Sequence, residues 1–280
     1  RKRYFPIYLL TLLVSIPVIL CVRLVRPIVI LRFGRINAAG FGQFALVPEV
    51  YLSRRKAGFE THDSVDLFFL DGKVQNQQLH QMVQRKMFIH PLIQPLYNAN
   101  LLIPGWTEHL IKGPSYYSER DVDHSFIKVS PQLNFSRNEH AMAEQQLLKF
   151  GMNVEDKFIC LYARDTGYQI NSTTMGYCFD VNQFDFIIDK LVQEGYFVLR
   201  MGKQVDTPLD YHHPKVIDYG WKFHSDLMDI WLTYHCDFMV SSGGGLCAVP
   251  VAFRRPLLYF NCEVLSFFST AVDSLVTFRK

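Results

Sequence analysis

The second half of the sequence places cationic side chains and a glycine-rich turn directly after apolar runs. Arg164, with Asp165 beside it, follows one such run, and Arg200 and Lys203 follow the next. Ser241-Ser242-Gly243-Gly244-Gly245 follows a later run and opens an apolar helical segment. Backbone amides at such a turn bind anions, and a guanidinium group fits phosphate oxygens. If these runs are parallel strands, their carboxyl ends share one edge of a sheet, so the spacing predicts a diphosphate site, as for a nucleotide-activated donor.

Each of these features also has a purely structural explanation. The glycine-rich segment can be a tight turn where a helix and a sheet pack closely. Arg164 can pair with Asp165, and Arg200 and Lys203 can form a solvated strand end. The turn is not a Walker loop, because no Lys-Ser/Thr follows it, and it is not a G-x-G-x-x-G fingerprint, because residue 248 is Ala. No G-x-S-x-G motif and no Cys or His spacing typical of zinc occurs, so neither a hydrolase nor a metal site is predicted.

The elements that must position these residues alternate between strands and helices. Apolar runs predict strands at residues 27–33, 65–70, 87–90, 158–162, 196–200, 216–219, 237–240 and 256–260. Helical patterns lie between most of them, and short links between strands and helices require a parallel sheet with right-handed crossovers. The stretch 91–131 reads as irregular. We therefore predict an α/β protein with two Rossmann-like domains, over residues 27–135 and 136–280.

Composition excludes several classes of protein. The chain has 280 residues, of which 49% are hydrophobic and 20% charged, so it is not a disordered chain. The net charge of +3 and the lack of a large basic block beyond the N-terminus argue against a nucleic-acid partner. Six cysteines lie mostly in apolar runs and predict no disulfide framework.

The N-terminal segment is apolar and flanked by basic residues. Residues 4–22 contain no charge, with Arg1 to Arg3 before them and Arg23 and Arg26 after. Nineteen residues of helix reach about 28 Å, close to the hydrocarbon thickness of a bilayer. A cleaved signal peptide is the alternative, but the residues after Cys21 form a poor cleavage site. We expect a single-pass membrane anchor over residues 1–26, with the rest at the cytoplasmic face of a bacterial inner membrane, although basic flanks on both sides do not fix the orientation.

Two stretches together resemble a largely uncharacterised family of membrane-associated glycosyltransferases. They are Phe-Gly-Arg…Gly-Gln-Phe-Ala-Leu-Val-Pro-Glu-Val-Tyr-Leu near the N-terminus and Ser-Ser-Gly-Gly-Gly-Leu-Cys-Ala-Val-Pro-Val-Ala-Phe-Arg-Arg-Pro-Leu-Leu-Tyr-Phe-Asn near the C-terminus. The resemblance covers about residues 27–261 and includes Leu161-Tyr-Ala-Arg-Asp165. It implies the GT-B architecture, in which two Rossmann-like domains face each other across a cleft. It also implies a further strand and a returning helix after residue 260, so we expect the second domain to be incomplete.

The resemblance assigns a role to each half. The second half would hold the nucleotide sugar, and the first half would face the acceptor. The implied donor-binding residues are Arg164, Arg200, Gly202, Lys203, Ser241, Ser242, Gly243, Gly244 and Gly245. The implied acceptor-binding residues are Gly34, Arg35, Gly42 and Gln43. Gln43 stands where related enzymes often carry His or Asp, so the general base is sought among Asp165, Asp71 and Glu49, with Asp165 preferred.

The sequence therefore predicts an anchored glycosyltransferase. It would move a sugar from a nucleotide donor to a glycan or lipid-linked acceptor, with no metal ion and no cofactor. Two alternatives stay open at this point: a sugar-nucleotide epimerase of similar fold, and a non-catalytic membrane-tethered protein that binds or assembles glycans.

Overall fold

The computed structural model describes residues 5–59, 63–111, 124–164, 180–262 and 272–278. These residues form two parallel sheets with helices packed on them. In the first half the elements are α1 (Phe5–Leu24), β1 (Ile30–Asn37), α2 (Phe41–Lys56), β2 (Ser64–Asp71), α3 (Gln77–Gln84), α4 (Ile93–Leu101) and α5 (Ser125–Lys128). In the second half they are α6 (Arg137–Lys149), β3 (Phe158–Tyr162), α7 (Asp185–Gln193), β4 (Phe197–Arg200), β5 (Val216–Ile217), α8 (Tyr219–Lys222), α9 (Asp226–His235), β6 (Met239–Ser241), α10 (Ala248–Ala252), β7 (Leu257–Cys262) and β8 (Ser274–Phe278).

The second sheet has six parallel strands in the order β5-β4-β3-β6-β7-β8. Numbered within this half, the order is 3-2-1-4-5-6, which is the doubly wound arrangement of dinucleotide-binding folds. Its central strand β3 is apolar throughout, and four of its five residues are buried, as expected for a strand covered on both faces. The order reverses between β3 and β6, and in open α/β sheets ligands bind at the carboxyl ends of the strands beside such a reversal.

The first sheet repeats the start of this order. β1 and β2 pair in parallel. Isolated parallel bridges add Ile89 beside β2, through Phe68, and Leu110 beside β1, through Phe33. In chain order the four segments are therefore arranged 3-2-1-4, and the order reverses beside the carboxyl end of β1. The α/β fold with parallel sheets confirms the predicted fold class, while the exact domain boundaries stay a prediction.

One hydrophobic core extends through both halves. It joins Phe44 and Met82, from α2 and α3, to Met228 and Val249, from α9 and α10. Side-chain caps fix the starts of two helices that pack on it: Ser136 and Glu139 form a capping box at the start of α6, and Ser225 caps α9. The two sheets are therefore held together by packed helices rather than by a linker alone.

Helix α1 lies along the first half. Its Ile19 is fully buried in a cluster with Phe33, Phe69 and Ile93. Across the described ranges, no helix combines the length and the apolar character that a membrane crossing requires. This finding does not support the transmembrane anchor predicted over residues 1–26.

Three details of the fold differ from the sequence-based prediction. β1 extends beyond the predicted strand end at residue 33, so Gly34 and Arg35 lie inside it. A Cβ at Gly34 would stand 2.5 Å from the ring of Phe68, so only glycine fits there. The stretch 91–131 contains helix α4, which covers β1 and β2. Strand β8 pairs with β7 as a sixth strand, which the apolar runs did not predict but which the resemblance implied.

Candidate functional site

The turn after β6 lies at the reversal of strand order in the second sheet. The Ser242 amide donates to Tyr162 O at 3.1 Å, and the Arg164 amide donates to Ser242 Oγ at 3.0 Å. Ser241 Oγ is 2.8 Å from Cys247 Sγ and accepts from the Gly243 amide at 3.1 Å. These bonds bring Arg164 and the Ser241–Gly245 turn together, as the sequence predicted.

Glycine is required in this turn for a steric reason. Gly243 and Gly244 have φ values of +99° and +119°, which L side chains rarely adopt. A Cβ at Gly244 would also stand 3.2 Å from Tyr162 Oη. The helix that follows begins as a one-turn 3-10 helix, Gly245–Cys247, and α10 has only five residues. The helix dipole expected from the sequence is therefore short, and any anion binding would depend mainly on local amides and Arg164.

The glycine turn of the first half meets this turn directly. A Cβ at Gly42 would stand 3.0 Å from Gly245 O, and a Cβ at Gly245 would stand 3.2 Å from the Gly42 amide nitrogen. Gly42 lies in the first turn of α2, whose N-cap is Gly40. Because this turn follows β1, the strand-order reversals of the two sheets face each other. The structure thus brings the predicted donor-side and acceptor-side turns into backbone contact.

The other predicted acceptor residues take part in local contacts. Gln43 Oε1 accepts from Asn37 Nδ2 at 2.6 Å, and Asn37 Oδ1 accepts from the Ala39 amide at 3.1 Å. Arg35 is exposed and forms an ion pair with Asp71. Gly34 is buried within β1 and does not line the meeting point. Asn37, which the sequence did not single out, fixes both the turn and the Gln43 amide.

Arg200 is fully buried and forms an ion pair with Asp218. Its Nη1 lies 3.0 Å from Asp218 Oδ1, and the second carboxylate oxygen accepts from the Leu209 amide at 2.8 Å. The Arg200 side chain has 0% exposure in this conformation. It therefore ties β4 to the segment after β5, and the structure does not bring it to an open surface beside Arg164.

Lys203 joins the two halves. Its Nζ donates to Gln75 O at 3.0 Å and lies 3.3 Å from Asp226 Oδ1. Gly202, at φ +150°, keeps the chain close to Gly220, where a Cβ would stand 2.8 Å from Gly202 O.

Beside Lys203 and Gly220 an open depression of about 500 Å³ is lined by Lys203, Gln204, Val205, Asp206, Gly220 and Trp221. The indole of Trp221 is about half exposed there. Nothing in the sequence around Trp221 predicted that it would line a depression.

One group of side chains near Lys203 has metal-ligand chemistry. Ligand atoms of His224, Asp226 and Asp229 lie within 4.8 Å of one another. His224 Nε2 is 2.9 Å from Asp229 Oδ2, and this hydrogen bond raises the pKa of His224. A cation bound there would compete with the Lys203 ammonium for Asp226. The contacts present are those of an ion-pair network.

The predicted general bases fall in different places. Asp165 lies outside the described residues. Glu49 is fully buried and accepts from the Gln132 and Leu133 amides and from Arg254, so it cannot contact an acceptor. Burial raises the pKa of Glu49. Asp71 lies at the carboxyl end of β2, partly exposed, and the Ala38 amide donates to its carbonyl at 2.8 Å. Among the candidates in the described ranges, only Asp71 lies at the edge where the two halves meet.

Comparisons with known proteins give a fold but no family. No family model matches the sequence, and no curated protein matches it. Among solved structures, the chain is similar to a glycosyl transferase family 9 protein from Veillonella parvula, with a TM-score of 0.54 and 12% identity over 89% of this chain and 86% of that one. It is also similar to the ADP-heptose LPS heptosyltransferase II of E. coli, with a TM-score of 0.50 and 12% identity over 88% of this chain and 90% of that one. The fold of this chain is thus that of GT-B glycosyltransferases, as the sequence resemblance implied.

Proposed function

We propose that this protein is a glycosyltransferase that uses a nucleoside-diphosphate sugar. The observation that carries the proposal is the meeting of two strand-order reversals, with Gly42 against Gly245 and Arg164 beside the same turn. In open α/β sheets these reversals are where ligands bind. The GT-B fold supports the same function.

The proposed chemistry needs a stabilised leaving group. An acceptor hydroxyl attacks the anomeric carbon, a new C–O bond forms, and the bond from that carbon to the diphosphate oxygen breaks. The nucleoside diphosphate leaves with the electron pair, and a base takes the hydroxyl proton. Arg164 and the amides of the Ser241–Gly245 turn would stabilise the negative charge that develops on the diphosphate. Asp71 is the described carboxylate best placed to act as the base.

The acceptor would approach from the first half. We propose a glycan or a lipid-linked acceptor and a location at a membrane surface, because the apolar helix α1 belongs to this half. The open depression beside Trp221 lies at the ends of β4 and β5, next to β3, and would take the nucleoside part of the donor.

Calorimetric titration of the full chain with ADP, UDP, GDP and CMP tests donor binding. We expect one nucleoside diphosphate to bind, and Arg164→Ala to weaken it about 10- to 100-fold, since a charged hydrogen bond contributes roughly 1.5–3 kcal/mol. Arg137→Ala, at an exposed position on α6, is the matched control and should leave affinity unchanged.

Assays with a panel of nucleotide sugars then separate the alternatives. Release of the nucleoside diphosphate together with a glycosylated acceptor supports the transferase. Conversion of one nucleotide sugar into another supports an epimerase. Failure of every nucleotide to bind the intact chain would instead favour a non-catalytic glycan-binding protein.

A further inference from the structure

Helix α1 has one face packed on the protein and one open face, and the open face is apolar. One face packs on the first half, where Ile19 is fully buried and Leu12, Ile16 and Val22 are partly buried against α4 and the sheet. The other face is open. From residue 10 onward, its exposed positions are all apolar: Leu10, Leu13, Val14, Pro17, Val18, Leu20, Cys21 and Leu24. A helix on an aqueous surface would carry polar side chains on its outer face.

The apolar surface continues beyond the helix. Arg23 at the end of α1 donates to Gly105 O at 2.8 Å and to Asn100 Oδ1 at 2.6 Å, which holds the segment 100–106 beside the helix. Leu101, Leu102 and Trp106 in that segment are exposed, as are Val25 and Ile28. We call this set, together with the outer face of α1, the α1 surface. Contiguous exposed apolar surface of this kind marks a site of association with a membrane or another protein.

Charge indicates which of these partners fits. Residues 1–48 contain seven Lys and Arg residues and no Asp or Glu. Arg1, Lys2 and Arg3 precede the helix in sequence, and Arg23 and Arg26 stand at its other end, with Arg26 paired to Glu108. A second copy packed on this surface would bring basic groups against basic groups in either direction. Anionic lipid headgroups would complement both ends.

We propose that the α1 surface inserts into one leaflet of an anionic membrane, with the helix lying in the plane of the interface. The inner face of α1 stays on the protein, so from residue 10 onward only its outer face is available to lipid. Leu, Val and Trp on such a face, flanked by Arg, are typical of helices that lie in the interface. This inference deepens the proposed membrane location and does not depend on sugar transfer.

Vesicle flotation tests whether the α1 surface binds lipid. The full chain is mixed with phosphatidylcholine vesicles, with or without one quarter phosphatidylglycerol. We expect binding that is stronger with phosphatidylglycerol, and we expect Leu13→Gln/Val14→Gln/Leu20→Gln to lower the partition coefficient at least about tenfold. The matched control, Leu148→Gln/Val154→Gln/Phe186→Gln, changes three exposed apolar residues of the second half and should bind within about twofold of the unchanged chain.

Spin-label depth measurements test the orientation. Labels at Leu10→Cys, Val14→Cys, native Cys21 and Leu24→Cys should show similar depths if the helix lies in the plane. A profile that is deepest near the middle and shallow at both ends would mean that the helix crosses the bilayer, and it would overturn the proposal.

Two further outcomes would also overturn it. One is vesicle binding that the triple α1 variant leaves unchanged. The other is absence of vesicle binding together with a dimer that the same variant dissociates, which would assign the α1 surface to a second copy. Nucleotide binding by the variants is measured in parallel, so that a failure of this proposal is distinguishable from a failure of the proposed transferase.

Discussion

Arg200 shows how one residue can satisfy a functional pattern and still serve the fold. A cationic side chain at the carboxyl end of a strand suggests an anion ligand, yet its guanidinium is fully buried against Asp218. Burying such a pair costs desolvation free energy, and removing one partner leaves the other charge buried and uncompensated. The two explanations predict different losses on substitution.

We expect Arg200→Met to lower the free energy of unfolding by about 3–5 kcal/mol, because Asp218 would keep a buried charge without its cation. Urea denaturation followed by circular dichroism measures this change. Arg200→Met/Asp218→Leu should recover part of the loss. A stable Arg200→Met protein that has lost nucleotide affinity would instead restore Arg200 as a donor ligand.

Individual site residues were only partly predictable for a physical reason. Arg164 and Ser242 lie at the ends of adjacent strands, and strand order alone brings them together. The partner of Arg200 depends on how residues 209–218 fold back on β4, and that contact has no local sequence signal. Glu49 likewise looks like an exposed helix carboxylate until Arg254, 205 positions away, is seen to bind it.

At the scale of elements, helices α6 and α9 pack through a group of imidazole and indole rings. His235 on α9 stacks on Trp231 with ring centroids 4.1 Å apart, and His140 on α6 accepts from the Trp231 indole at 3.2 Å. Burial, with His140 and Arg255 nearby, lowers the pKa of His235 to about 4. The packing therefore requires a neutral His235.

This requirement makes stability depend on pH with a definite sign. The unfolded chain binds a proton at His235 below about pH 6.5, whereas the folded chain binds it only near pH 4. Stability should therefore fall as pH decreases from about 6.5 to 4, by roughly 1–3 kcal/mol from this residue. We expect His235→Phe to remove that part of the slope in urea denaturation at several pH values. His212→Gln, at an exposed position, should leave the slope unchanged, and an unchanged slope in His235→Phe would refute the assignment.

Hydrophobic periodicity and the positions of Gly and Pro predicted most elements, because these signals lie within or beside each element in the sequence. Strand β3 was predicted with its observed bounds, residues 158–162. The first predicted strand ended at residue 33, before Gly34, because glycine often interrupts strands, and the ring of Phe68 that requires this glycine lies 34 positions away. Strand β8 carries only five residues and half-buried alternation, so pairing with β7 rather than its own sequence defines it.

At the scale of the whole molecule, polar contacts tie the two halves at separate places. Lys203 and Asp226 bind the segment 75–77 on one side, through Gln75 O and the Gln77 amide. Glu49 and Arg254 form a second connection, with a 2.7 Å ion pair. Gly42 and Gly245, which precede Glu49 and Arg254 in sequence, are in backbone contact. We expect the relative position of the two glycine turns to depend on both connections.

The Glu49–Arg254 tie gives the sharpest test of this dependence. Arg254 holds φ +58°, places its guanidinium 3.9 Å from the Phe126 ring centroid and donates to Ser53 at 2.8 Å. Arg254→Met would leave Glu49 buried with only neutral donors, the Gln132 and Leu133 amides and the Ser53 hydroxyl. We therefore expect the free energy of unfolding to fall by about 3–5 kcal/mol at pH 8. The neighbouring Arg255→Met, which loses a bond to Tyr234 O within the second half, should cost less.

The loss in Arg254→Met should shrink at lower pH, and the sign follows from Glu49. Burial already raises the pKa of Glu49, while Arg254 opposes that rise. Without Arg254 the pKa of Glu49 climbs further above its unfolded value, so the folded state binds the extra proton and gains stability as pH falls. Denaturation at pH 8 and pH 5 should therefore show a smaller difference from the unchanged chain at pH 5. An equal loss at both values would mean that the carboxylate finds another partner, and that the two halves are held mainly by their shared apolar core.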